Sequence, residues 1–87
     1  MTTPDPIAAL RAKFLARAAD DLAWFRTNGD PPRDEALARV HKLAGAGGTF
    51  GFPHVSAAAA EVEEDLQSGR PADLTALIAT LEALPQP

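Results

Sequence analysis

Three clusters of glycine and proline cut this chain into four stretches: "TNGDPP" at 27–32, "GFP" at 51–53 and "SGRP" at 68–71. Proline has no backbone N–H and a fixed φ, so it opens or stops a helix and is not carried inside one. Each stretch between these clusters carries apolar residues at three- and four-residue steps, the period of an amphipathic helix. No stretch alternates as a half-buried strand does.

The first stretch runs from about Asp5 to Asn28, with Ile7, Leu10, Phe14, Ala18, Leu22 and Phe25 as its apolar stripe. Asp5 followed by Pro6 is an N-cap and first-turn pair. Gly29 is expected to supply a left-handed C-terminal residue, and Pro31 and Pro32 block continuation. The second stretch starts near Asp30, expected to cap the free amides, and reads through Ala36, Val40, Leu43, Gly47 and Phe50. The third carries Val55, Ala58, Ala59, Val62 and Leu66. Gly69 closes it and Pro71 is expected to open the next helix. The fourth shows Leu74, Leu77, Ile78, Leu81 and Leu84, ending at Pro85.

Four helices on short connections pack against their sequence neighbours. The expected fold is all-α: a single domain over residues 1–87, built as an antiparallel up-down-up-down four-helix bundle around one core. The 87 residues suffice for one domain with a modest core. There is no cysteine, hence no disulfide framework and no thiolate metal site, which suits a reducing cytoplasm. The net charge of −4 argues against nucleic acid or an anionic membrane as the main partner. The opening residues lack the basic and apolar regions of a signal peptide, and no stretch has the roughly 18 apolar residues of a spanning helix.

"RVHKLAGAGGTFGF", residues 39–52, is where chemistry is concentrated. On a helical wheel Val40, Leu43, Gly47 and Phe50 share the core face, and His41 falls well away from it. His41 should therefore be largely open to solvent. Its helical neighbours are Leu37, Ala38, Ala44 and Gly45, with Gly48 one turn further on. Apart from Leu37 these are alanine or glycine, so the imidazole stands on a bare patch that another protein could approach. Two arrangements fit the glycines. Gly45 could cap the helix, leaving "GAGGTFG" as a loop. Alternatively the helix continues to Phe50, with Gly45 and Gly48 clearing space around His41 and Gly47 admitting a neighbouring helix. The apolar period and the stronger break at "GFP" favour the second. A phosphate-cradling loop is set aside, because no strand precedes the glycines and no Gly-Lys-Ser/Thr element follows.

Other candidates have plainer readings. Arg39 and Lys42 flank His41 and could steer an acidic partner, or be ordinary solvated cations. Leu37 is a docking anchor or part of the core rim. His54 reads as a surface residue at a helix start, and a His41–His54 metal site lacks a carboxylate at ligand spacing. Trp24 reads as core edge, and the acids from Glu61 to Asp65 as a solvated face.

The stretch "HKLAGAGGTFGFPHVS" resembles the signature of histidine-containing phosphotransfer (HPt) domains: a histidine, a hydrophobic residue two later, and glycines four and ten later. Here those are His41, Leu43, Gly45 and Gly51. The resemblance implies a four-helix bundle that relays a phosphoryl group to and from the aspartate of response-regulator receiver domains, with His41 as the accepting residue through Nε2. The bare patch and its flanking charges supply the candidate partner contacts around that residue: Leu37, Ala38, Arg39, Lys42, Ala44, Gly45 and Gly48. Many members carry lysine three residues after the histidine, where this chain has Ala44. The implied protein is a cytoplasmic, monomeric carrier with no kinase or nucleotide-binding activity and no cofactor or metal of its own. Mg²⁺ is expected on the partner receiver, and a hybrid histidine kinase is a further candidate partner. The reading from another class is a phosphorylation-independent helical adaptor that uses the same patch.

Overall fold

Backbone chemistry places the helix ends close to the expected punctuation, with three corrections. The structure, a computed structural model, describes residues 5–85; the ends of the expected 1–87 span, residues 1–4 and 86–87, lie outside the described residues. Helix α1 is Pro6–Thr27, α2 Arg33–Thr49, α3 Pro53–Gln67 and α4 Thr75–Glu82. Asp5 caps α1, its carboxylate accepting from the Ile7 amide at 2.9 Å. Gly29 does not form the left-handed cap. Asn28 ends α1 instead, its amide and side chain both donating to the Trp24 carbonyl, at 3.1 and 2.8 Å. Asp30 does not cap α2, because Pro31 and Pro32 push the first turn to Arg33, where Asp34 and Glu35 face the helix's positive end. Pro71 does not open α4. Residues 71–74 stay outside the helix, and the Asp73 carboxylate accepts from the Thr75 amide at 2.9 Å.

The helix continues through all the contested glycines to Thr49 and breaks at Gly51, φ +87°, ahead of Pro53. Gly69 terminates α3 as expected. With φ +72° it lets the Arg70 amide reach back to the Asp65 carbonyl at 2.9 Å.

The helices form a ring. Helix α2 lies between α1 and α3, with its most extensive contact on α3, and α4 closes the circuit between α3 and α1. On the α2–α3 face, Arg33 reaches Leu66, His41 reaches Glu63, and the Ala44 carbonyl meets Ser56. The partners descend along α3 as the residues ascend along α2, so these two helices run in opposite senses. Their approach is close at one point. A Cβ on Gly47 would lie 3.0 Å from the Ser56 nitrogen and 3.2 Å from the Phe52 oxygen, both backbone atoms.

Phe14, Ala18, Leu22, Phe25, Val40, Leu43, Val55, Ala59, Val62, Leu77 and Leu81 are buried together. Leu66, Leu74, Ile78, Leu84 and Phe50 pack around them, partly covered, as does Trp24. Ile7 and Leu10 do not join: they are 52% and 46% exposed. The 22-residue α1 outruns its neighbours, and Phe14 already stacks on Phe52 and packs at a tilt against Phe50 at the turn between α2 and α3. The first turns of α1 therefore project past the end of the core, with no partner among the described residues to cover them.

Among the described residues one charged group is buried. Asp21 has no exposed surface and binds the Arg39 guanidinium at 2.6 Å, while that guanidinium lies 4.5 Å from the centre of the Trp24 ring. Burial pushes the Asp21 carboxyl above the usual carboxylate range, opposed by the hydrogen bond and charge of Arg39. A folded value above the unfolded one, about 3.9, means that Asp21 supports folding most when protonated. That support is eroded as pH rises through the raised value. Thermal melts should therefore show the native chain's advantage over Asp21→Asn shrinking as pH climbs from about 4. A gap that widens over that range would contradict the raised carboxyl.

Candidate functional site

His41 sits in the middle of α2, on the side turned from the core by the same periodicity that buries Val40 and Leu43. Its side chain is 76% exposed. The glycines around it leave open ground. A Cβ on Gly45 would meet nothing within 4 Å, and one on Gly48 only the Ser56 side chain, at 3.6 Å. Ala38 is exposed and Leu37 half-buried. Together with His41 these two border a shallow, open depression of about 310 Å³ whose other walls are Asp34, Glu63 and Gln67. Ala44 is half-buried, its carbonyl accepting the Ser56 hydroxyl.

Glu63 is the residue that sequence reasoning missed. Its Oε2 lies 2.6 Å from His41 Nδ1, and its side chain is only 19% exposed. It is thus no part of a solvated acidic face. The sequence signal was weak because Glu61, Glu63 and Glu64 are alike in type and lie within one turn of each other. Which of them meets His41 depends on the relative register of α2 and α3, and that is set by the Gly47 approach and the Ser56 bond. A carboxylate can only accept a hydrogen bond, so Nδ1 carries the proton and donates it to Glu63. In the neutral ring Nε2 then keeps its lone pair, on the edge away from Glu63. A ring held in this way presents Nε2 outward, on ground flat enough for a macromolecule to reach it.

The flanking cations divide. Arg39, expected beside His41 as a steering charge, is instead held against α1. It contacts Asp21 at 2.6 Å, Asp20 at 3.5 Å and Glu35 at 3.9 Å, and its side chain is 18% exposed. Stacking on Trp24 and pairing with a buried carboxylate outweigh solvation of the guanidinium. Lys42 is exposed and borders a small notch formed with Phe14, Arg17, Leu43 and Ala46, on the α1 side of the helix. His54 is exposed at the first turn of α3 and lines a separate cavity against α4, with Ala79 and Ala83. The structure does not bring the two histidines into one site, and no group of three or more potential metal ligands occurs among the described residues.

No helix among the described residues is long and apolar enough to cross a membrane. The family model described as the Hpt domain matches residues 9–86, nearly the whole chain. Comparison with curated proteins and with solved structures gives no match.

Proposed function

The chain belongs to the Hpt domain family, whose members carry out histidine phosphotransfer in two-component phosphorelays, and from that membership we propose that His41 is its phosphoryl carrier. Domains of this family interact with response-regulator receiver domains. In the proposed exchange, the Nε2 lone pair attacks the phosphorus of a receiver's aspartyl phosphate. The P–N bond forms as the P–O bond breaks, and the aspartate leaves as a carboxylate with the bonding pair. No proton has to move. The ring keeps Nδ1–H throughout, and the positive charge it acquires lies against Glu63. The return step reverses each of these changes.

The observation that carries this reading is the exposed imidazole whose Nδ1 is taken by Glu63 at 2.6 Å, leaving Nε2 as the nucleophile. Phosphoryl transfer depends mainly on in-line positioning and stabilisation of charge. The receiver and its Mg²⁺ supply those, so this domain needs no metal, nucleotide site or kinase activity of its own. It acts as a cytoplasmic monomer, and Leu37, Ala38, Ala44, Gly45, Gly48 and Lys42 form the ground on which the receiver docks. Arg39 serves instead to tie α2 to α1. Incubation with a receiver phosphorylated on its aspartate should place acid-labile, alkali-stable phosphate on this protein. Failure with every receiver of the same cell would overturn the reading and leave the adaptor alternative.

Glu63 is a positioning residue in this scheme. Glu63→Ala is expected to slow single-turnover transfer about tenfold, in the range of a lost orienting partner. The bundle should remain folded by circular dichroism, and the ¹⁵N shifts of the ring should move away from the Nδ1–H form. Unchanged rate together with unchanged shifts would remove Glu63 from the mechanism.

A further inference from the structure

We propose that the docking footprint leans from His41 across the α1–α2 groove, where Lys13, Arg17 and Lys42 receive an acidic partner surface that inserts one apolar side chain into the notch between them. The inference rests on the phosphotransfer reading and adds to it which side of the site the partner covers.

The chain carries −4 overall, while any donor of a phosphoryl group from aspartate presents anionic oxygens before transfer and a carboxylate after it. Long-range repulsion must therefore be offset locally. Four of the eight cations are already engaged: Arg26 with Glu82, Arg33 with the Leu66 carbonyl, Arg39 with Asp21, and Arg70 with Asp65. Of the remaining four, Arg11, Lys13 and Lys42 have no ion pair among the described residues, and Arg17 stands 4.0 Å from Asp21 with a half-exposed side chain. Three of these four gather in one place. Arg17 and Lys42 flank the notch floored by Phe14, Leu43 and Ala46, and Lys13 stands one helical turn before Arg17 on the same face. This edge adjoins the open ground at Gly45. The opposite edge of the site, toward α3, carries Glu63 and Asp34. Asp20, the acid further along the α1 edge, is drawn to Arg39. An anionic partner centred on His41 is thus attracted on the α1 side and repelled on the α3 side.

The test uses a receiver domain phosphorylated with acetyl phosphate and shown to transfer to the wild-type protein. Arg17→Glu and, separately, Lys42→Glu should each raise KM about tenfold at low salt, with the rate at saturation unchanged and the difference narrowing in high salt. Arg11→Glu makes the same change in net charge on the other flank of α1 and should alter KM less than about twofold. Lys42 has no ion pair among the described residues, so its variant reads the footprint even if Arg17→Glu disturbs Asp21. Equal effects from all three substitutions, or none from Arg17→Glu and Lys42→Glu, would overturn the footprint with phosphotransfer intact. Absence of transfer to the wild type from every receiver would overturn the function itself.

Discussion

His41→Gln should take up no phosphate from a phosphorylated receiver, while melting within a few degrees of the native protein. The two halves of this expectation have separate causes. Glutamine offers no nucleophilic nitrogen, because its amide lone pair is delocalised, so the P–N bond cannot form. Its amide can still donate to Glu63, and the side chain it replaces is 76% exposed, so no packed surface is lost. Exposed substitutions of this kind stay within about 0.5 kcal/mol. His54→Gln is the companion measurement. That imidazole is exposed too, but it lies against α4 and has no carboxylate at Nδ1, and its loss should leave labelling at the native level. Labelling that survives His41→Gln and disappears with His54→Gln would move the carrier to the first turn of α3 and refute the assignment.

Gly47→Val should lower the stability of the bundle by about 3 kcal/mol, the upper range for overpacking a tight contact. In a domain of this size that corresponds to a fall in Tm of roughly 15 °C. The first added atom would already lie 3.0 Å from the Ser56 nitrogen and 3.2 Å from the Phe52 oxygen. Neither is the free end of a side chain that could swing aside; both belong to the backbone at the start of α3. Valine's branched carbons add further bulk at the same point, so α2 and α3 would have to separate. Gly45→Ala gives the contrast. It makes the same gain in helix propensity as any glycine-to-alanine change, about 0.5 to 1 kcal/mol, and meets nothing within 4 Å. It should raise Tm by several degrees, whereas Gly47→Ala should lower it despite the same gain. If both alanine variants gained equally, the close approach of α2 to α3 would not be what Gly47 serves.

These two glycines look alike in the sequence and differ in what surrounds them. The wheel separated them correctly, placing Gly47 on the core face and Gly45 beside His41, because helical periodicity depends only on positions along one chain. The same reasoning identified the buried members of every stripe, the break at "GFP" and the glycine that ends α3. It failed where a second element decides the outcome. Ile7 and Leu10 continue the stripe of α1, but a stripe cannot report that the neighbouring helices stop short of it. Arg39 reads as a free cation until Asp21 and Trp24 are placed under it by α1. Glu63 reads as one acid among several until the register of α3 against α2 sets it on Nδ1.

The sequence alone thus determined four helices, their buried faces, and an imidazole turned outward among small residues, since each follows from dihedral preference and a period of 3.6. Tertiary structure alone decided which nitrogen of that imidazole is free and where the uncompensated positive charge lies. Both depend on side chains from different helices meeting across a gap. The positions of those meetings are fixed by how closely two backbones can approach, and no spacing within a single helix encodes that.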